Sequence, residues 1–189
     1  MTNQLKEYLT QETKVSGDDL ESILACFKKK QVKKNHILFH PYKVCKRLYF
    51  VETGCLRVVS VRDDGQEWTR EIALEHNFIT IFPSFIGQTI TESSLQAVET
   101  SAVHYISYDN FKKLSRAIPE WKELYVDILE QTYINSIQRI EKLIALSGKD
   151  MYENFTKNHP GLMNRLPNKI IASYLGVSQE TLSRFKAKR

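Results

Sequence analysis

The chain of 189 residues, 42% of them apolar, is long enough for one domain of ordinary size and a small second one. No window approaches 18 uncharged apolar residues, and the start, MTNQLKEYLT, lacks the charged-then-apolar order of a secretory leader; this excludes a spanning helix and predicts a cytoplasmic protein without a membrane partner. The net charge of +5 is concentrated: from Gly161 onward six Lys or Arg face one acid, so this stretch alone carries the charge of the whole chain, as a face built for a polyanion would.

Up to about residue 28 the pattern is helical, with Ser16 opening a helix whose Leu20, Ile23, Leu24 and Phe27 share one face. The period then changes. From Val32 to Ile106 short runs rich in β-branched and aromatic residues follow one another: HILF, RLYFVET, CLRVVSV, EWTREIAL, LQAVET and AVHYIS. Asp64-Gly65 supplies the positive φ angles of a tight hairpin between two of them. Such spacing predicts an antiparallel β-roll within an α+β chain. Cys26, Cys45 and Cys55 have no CxxC spacing and read as free, buried or half-buried thiols rather than a disulfide framework or zinc ribbon.

Ser107 caps a helix over YDNFKKLSRA, and Pro119 opens a longer one running to about Leu146, roughly 40 Å in length. One roll cannot cover so long an apolar stripe, so the helix either packs across its own domain or pairs with its twin, and the Ile137, Ile140, Ile144 spacing favours the twin. Leu124, Ile128, Ile137, Ile140 and Ile144 are the candidate residues of a homodimer interface. Ser147, with Asp150 three residues on, starts a further helix that stops at His159-Pro160.

The last 23 residues, Pro167 to Arg189, contain two helical runs joined by Gly176-Val177-Ser178, the pattern of a helix-turn-helix. Ala172 is small where the helices approach, Gly176 takes the turn and Ser178 caps the second helix. Ile171, Leu175, Val177, Leu182 and Phe185 form the seam, which turns Gln179, Glu180, Ser183 and Arg184 outward as candidate base-reading residues. Arg can bond guanine bidentately, Glu can accept from cytosine and Gln can read adenine. Lys169, Ser178, Thr181, Lys186, Lys188 and Arg189 are the candidate phosphate contacts on double-stranded DNA. An exposed helix with a Glu180–Arg184 pair would need no DNA, but the turn pattern and the charge concentration together favour it.

With IASYLGVSQETLSRFKAKR attached to a β-roll by a long helix, nearly the whole chain resembles the Crp/Fnr family of transcription regulators. The resemblance implies a cyclic-nucleotide-binding-like, jelly-roll-type effector domain over 1–118, a linker and dimerisation helix over 119–146, and a helix-turn-helix domain over 147–189. It further implies a palindromic operator, a homodimer and RNA polymerase as a partner. Ser178 to Arg184 match the family's recognition-helix pattern. The sequence ends at Arg189, without residues for the β-hairpin wing that often follows.

Members that bind cyclic AMP carry a Gly-Glu pair and an Arg-Ser/Thr segment, and neither is present in His76 to Ala97. No Lys or Arg occurs in the 41 residues from Glu71 to Phe111, so a cyclic phosphate lacks its usual partner and only Arg47, Arg57 or Arg62 could reach in. The expected effector is therefore not cyclic AMP; Phe78, Phe82 and Phe85 are a candidate apolar pocket for an unidentified small molecule, with simple core as the alternative reading. Iron–sulfur members use four cysteines, and His36 and His40 lie in a strand-like segment where i,i+4 does not bring side chains together, so no metal or cofactor is expected. There is no catalytic motif or phosphate-cradling glycine loop, and no catalytic residue is assigned. The rival to a DNA-binding regulator is a ligand- or partner-binding β-roll module that does not bind DNA.

Overall fold

The computed structural model describes residues 4–187. Helices α1 (Gln4–Glu12) and α2 (Gly17–Ala25) precede strands β1 (Lys28–Val32), β2 (Ile37–Phe39), β3 (Lys43–Val44), β4 (Arg47–Thr53), β5 (Leu56–Val61), β6 (Glu67–Ala73) and β7 (Phe78–Ile79). Next come helix α3 (Phe82–Gly87) and strands β8 (Ile90–Thr91), β9 (Ser94–Ala97) and β10 (Ser101–Ser107). Six helices close the described chain: α4 (Tyr108–Ala117), α5 (Pro119–Ala145), α6 (Gly148–Asn158), α7 (Pro160–Arg165), α8 (Asn168–Leu175) and α9 (Gln179–Ala187).

The strands form two four-stranded antiparallel sheets, ordered β1-β10-β4-β7 and β2-β9-β5-β6, with β3 and β8 as a separate pair. Their inner faces enclose a core of Tyr49, Val51, Leu56, Val58, Ile79, Ile81, Leu95 and Val103. Successive side chains on a strand point to opposite faces. On β4, Tyr49 and Val51 therefore face the roll interior, whereas Leu48 and Phe50 face outward into a second core built with α1, α2, α4 and the start of α5. This is why β4 has no polar alternation: it is buried on both sides.

Several elements are absent from the sequence reading, among them β1, β3, β7, β8, α3 and α7. The lysine-rich KKKQV segment is an edge strand rather than a helix end; charged side chains are a common device for keeping such an edge from pairing with another chain. Of the residues read as a candidate pocket, Phe78 lies on β7 and Phe82 and Phe85 on the short helix α3, which has Pro at its start and Gln88 left-handed at its end. Ser107 and Ser147 each cap a helix as expected, accepting from the Asn110 and Asp150 amides.

Helix α5 has two distinct faces. Trp121 and Leu124 are buried in the outer core, with Tyr125, Ile128 and Leu129 packed against it. Leu124 and Ile128 thus face their own roll, correcting their assignment to a dimer interface; the aromatic outer core supplies the partner that a second chain was expected to supply. Val126, Tyr133, Ile137, Ile140 and Ile144 are exposed on the other face. Trp121→Ala is expected to destabilise the fold by about 3–5 kcal/mol, as large-to-small changes in packed aromatic cores do. Ile90→Ala, at a 70% exposed site, should stay within about 0.5 kcal/mol. Denaturant unfolding of both variants checks the contrast.

Candidate nucleic-acid interface

The turn between α8 and α9 has the geometry its residue types demand. Gly176 sits at φ 72°, a left-handed conformation that side chains with a Cβ adopt only at a cost, and the Val177 amide bonds the Ala172 carbonyl at 3.1 Å. Ser178 Oγ accepts from the Thr181 amide at 3.1 Å and so caps α9. Ile171, Ala172, Leu175 and Leu182 are buried, with Val177 and Phe185 packed against them, so one face of α9 is fixed.

The opposite face carries Gln179, Glu180, Ser183 and Arg184, all exposed. The Glu180 carboxyl is held below its ordinary range by its own backbone amide, then by the Ser178 hydroxyl and the Arg184 charge, and is a pure acceptor at neutral pH. Arg184 Nη2 donates to Thr181 Oγ1 at 3.0 Å and forms no ion pair with Glu180 among the described residues. The guanidinium retains further donors.

The candidate phosphate contacts divide. Ser178 donates to Thr181 Oγ1, so both hydroxyls help organise the start of α9. Lys186 Nζ donates to Asn168 Oδ1 at 2.5 Å, bridging α9 to the start of α8. Lys169 lies 2.9 Å from Glu67 of the roll, a carboxylate 102 positions away in the sequence, so a phosphate would compete with this exposed ion pair for the ammonium. Lys188 and Arg189 lie outside the described residues.

Lys169 belongs to a polar junction between α8 and β6. Arg57 is buried on β5 and donates to Gln96, Thr69 and Glu67. Burial pushes the Glu67 carboxyl up, but hydrogen bonds from Lys169 and Arg57 more than reverse this and hold it below its ordinary value. Ser173 Oγ accepts from the Thr69 amide at 2.7 Å and donates to the Glu67 carbonyl at 3.0 Å. Arg139, from α5, donates to the Thr69 and Tyr174 carbonyls and lies 4.3 Å from the Tyr174 ring centroid. Arg165 joins Glu75 and Glu99 of the roll. The sequence reading missed Arg139 and Arg165, and it treated Arg57 as a possible cyclic-phosphate ligand. No local pattern marks such residues, because each partner comes from a distant part of the chain.

The same contacts bear on the expectation about cyclic nucleotides. Arg57 is already engaged by a carboxylate, Arg47 lies 4.7 Å over the Tyr105 ring, and Arg62 is exposed beside the β5–β6 turn. Ser84 Oγ accepts from the Cys45 amide and donates to the Thr89 carbonyl. Phosphate therefore finds no free cation along 76–97. Phe85 is fully buried against Tyr108 and Phe111, which corrects its reading as a pocket residue; Phe78 and Phe82 are core residues that also line a groove along α5. The cysteines do not fit an iron–sulfur cluster: Cys26, Cys45 and Cys55 belong to three separate apolar clusters, and burial pushes the Cys55 thiol up to about 12.

Cyclic AMP and cyclic GMP are expected to leave the thermal midpoint unchanged, whereas a ligand at 100 times its dissociation constant would add about 2.7 kcal/mol. A shift abolished by Arg57→Gln would instead place the phosphate on that side chain. The junction is also acid-sensitive. Hydrogen bonds from Arg165 lead the effects that lower the Glu75 carboxyl from 4.5 to about 2. Its stabilising contribution is intact above pH 4.5 and is lost as pH falls toward 2. The stability gap between wild type and Glu75→Gln should close through that window in acid titrations; a constant gap would contradict the pairing.

Comparison with known proteins agrees with this architecture. The family model for the cyclic nucleotide-binding domain matches residues 29–117. The chain is 24% identical over 181 residues to electron transport regulator A of Shewanella oneidensis, covering 88% of this chain and 70% of that protein. It is also 24% identical to the anaerobic regulatory protein of Pasteurella multocida, covering 88% of this chain and 64% of that one. A crystal structure of a putative crp/fnr-family regulator from Eubacterium rectale shares the fold, with a TM-score of 0.74 and 18% identity over 95% of this chain and 85% of that one. No helix among the described residues is long and apolar enough to cross a membrane. With a roll matching the cyclic nucleotide-binding domain, a long connecting helix and a capped helix-turn-helix, the chain is similar in architecture to transcription regulators of the Crp/Fnr type.

Proposed function

We propose that this regulator works in the cytoplasm as a homodimer, in which α9 of each protomer enters the major groove of one half of a palindromic operator. The observation that carries the reading is the split of α9 into a locked inner face and an exposed outer face presenting Gln179, Glu180, Ser183 and Arg184. In functional terms the roll over 1–118 is the effector part, 119–146 the dimerisation helix and 147–189 the DNA-binding part.

The dimer seam follows from the exposed face of α5. Positions 126, 130, 133, 137, 140 and 144 alternate in steps of four and three, and five of the six are the exposed apolar residues Val126, Tyr133, Ile137, Ile140 and Ile144. A strict 3.5-residue repeat is the pattern of a two-stranded coiled coil. Two-fold pairing would set the recognition helices on half-sites about 34–36 Å apart. Wild-type protein is expected to sediment as a dimer at tens of micromolar, and the Ile137→Asp, Ile144→Asp double variant as a folded monomer. A wild-type monomer, or a dimer indifferent to both charges, would exclude this seam.

Arg184→Ala should relax base preference and cost about 1–3 kcal/mol on the best operator. Lys186→Ala should weaken all duplexes similarly and flatten the salt dependence. Equal losses on every sequence for both variants would make Arg184 a phosphate contact.

A further inference from the structure

Three arginines, Arg57 buried and Arg139 and Arg165 part-buried, meet at the junction of roll, long helix and helix-turn-helix, and two of them have carboxylate partners among the described residues. Arg57 is paired with Glu67 at 2.6 Å, and Arg165 with Glu75 and Glu99. Arg139 instead spends one nitrogen, Nη2, on two backbone carbonyls, while its Nε is buried without a hydrogen-bond partner. A desolvated guanidinium without a counter-ion is costly, and burial correspondingly lowers its pKa.

The positive charge does not stop there. Lys142, one turn further along α5, forms no ion pair among the described residues. It lies close enough to His159 for its charge to add to burial in lowering the imidazole pKa. The chain of contacts is continuous: Arg139 on Tyr174, Tyr174 against Phe155, and Phe155 against His159 at 5.3 Å. Arg139, Lys142 and the neutral imidazole of His159 line a groove of about 890 Å³ between α5, α6, α8 and the end of β6, a size in the range of small-molecule sites. Toward the start of α5 the groove is walled by Ala73, Phe78, Phe82, Leu124 and Ile128, with the carboxylates of Glu12 and Asp127 at the same end, away from Lys142. Lys142 is five positions from Ile137 and two from Ile144, on the side of α5 opposite the proposed seam, so a partner helix would not cover it.

We propose that this groove binds an organic anion, a carboxylate or phosphate head taken by Arg139, Lys142 and His159 and an apolar body lying along α5. The head would supply the counter-charge that the protein withholds from Arg139, and would join the long helix to α6, tying the DNA-binding part to the dimerisation helix. The head would sit on α5 and α6, whereas the 76–97 segment, where the resemblance would place a cyclic phosphate, contributes Asn77, Phe78, Phe82 and Pro83 to the groove's other wall. Its role as an effector site rests on the transcription-regulator reading; the binding itself does not.

The test uses the full chain without DNA, by thermal shift and calorimetry at fixed ionic strength, with octanoate, octyl phosphate, inorganic phosphate and neutral octanol as probes. Octanoate or octyl phosphate should raise the midpoint, their ratio identifying the preferred head; inorganic phosphate should act more weakly and octanol not at all. Lys142→Ala and His159→Ala, both at surface-facing positions, should each weaken binding about tenfold, the equivalent of one charge-assisted hydrogen bond, while Lys112→Ala leaves it unchanged. No shift with either amphiphile overturns the proposal, as does a shift that survives both variants. Glu71 also lines the groove, and burial pushes its carboxyl up to about 7. Anion binding that appears only in Glu71→Gln would make Glu71 the counter-ion of Arg139 and overturn the proposal equally. Adding the stabilising probe to a DNA-binding titration then reports separately whether occupancy changes operator affinity.

Discussion

The arrangement depends on one helix serving two surfaces with two different repeats. Trp121 and Leu124 anchor the start of α5 in the aromatic core outside β4, where Phe27, Phe78 and Phe111 pack around Trp121. Further along, Leu143 and Leu146 pack into the cluster that holds the helix-turn-helix. Between and opposite these anchors, Tyr133, Ile137 and Ile140 remain uncovered. The helix thus links the roll to the helix-turn-helix, and its uncovered face is the surface on which the proposed second copy would pack.

Charge at the junction explains how a basic C-terminal stretch sits against a neutral body. Glu67, Glu75 and Glu99 of the roll meet Lys169 and Arg165, so part of the positive charge is answered within the protomer. Arg184 is not answered in this way and remains exposed on α9. The sign concentration in the sequence therefore overstates how much charge is free for a polyanion, while the recognition helix keeps what readout requires.

The helix-turn-helix was legible because its constraints are local: Gly176 for positive φ, Ser178 for a cap three residues before the Thr181 amide that it accepts, and Ala172 at the close approach. The larger strands β4, β5, β6 and β10 were legible for the same reason. Strand β1 was not, since three successive lysines hide the alternation and only pairing with β10 makes them a strand. The seam was half legible. Counting apolar residues at helical spacing selected Leu124 and Ile128, which turn inward, and passed over Val126 and Tyr133; separating a 3.5 from a 3.6 repeat would have found them. The junction was illegible, because Arg57, Arg139 and Arg165 acquire meaning only from partners brought together by the fold.

The central claim is that two chains, joined along α5, read one duplex with two copies of α9. Its most direct test is the stoichiometry and footprint of the full chain on a duplex selected from genomic fragments. The account predicts two chains per duplex and two protected half-sites with centres about 10–10.5 base pairs apart, or a multiple of one helical turn. One chain per duplex, or retention that depends on salt but not on sequence, would contradict it.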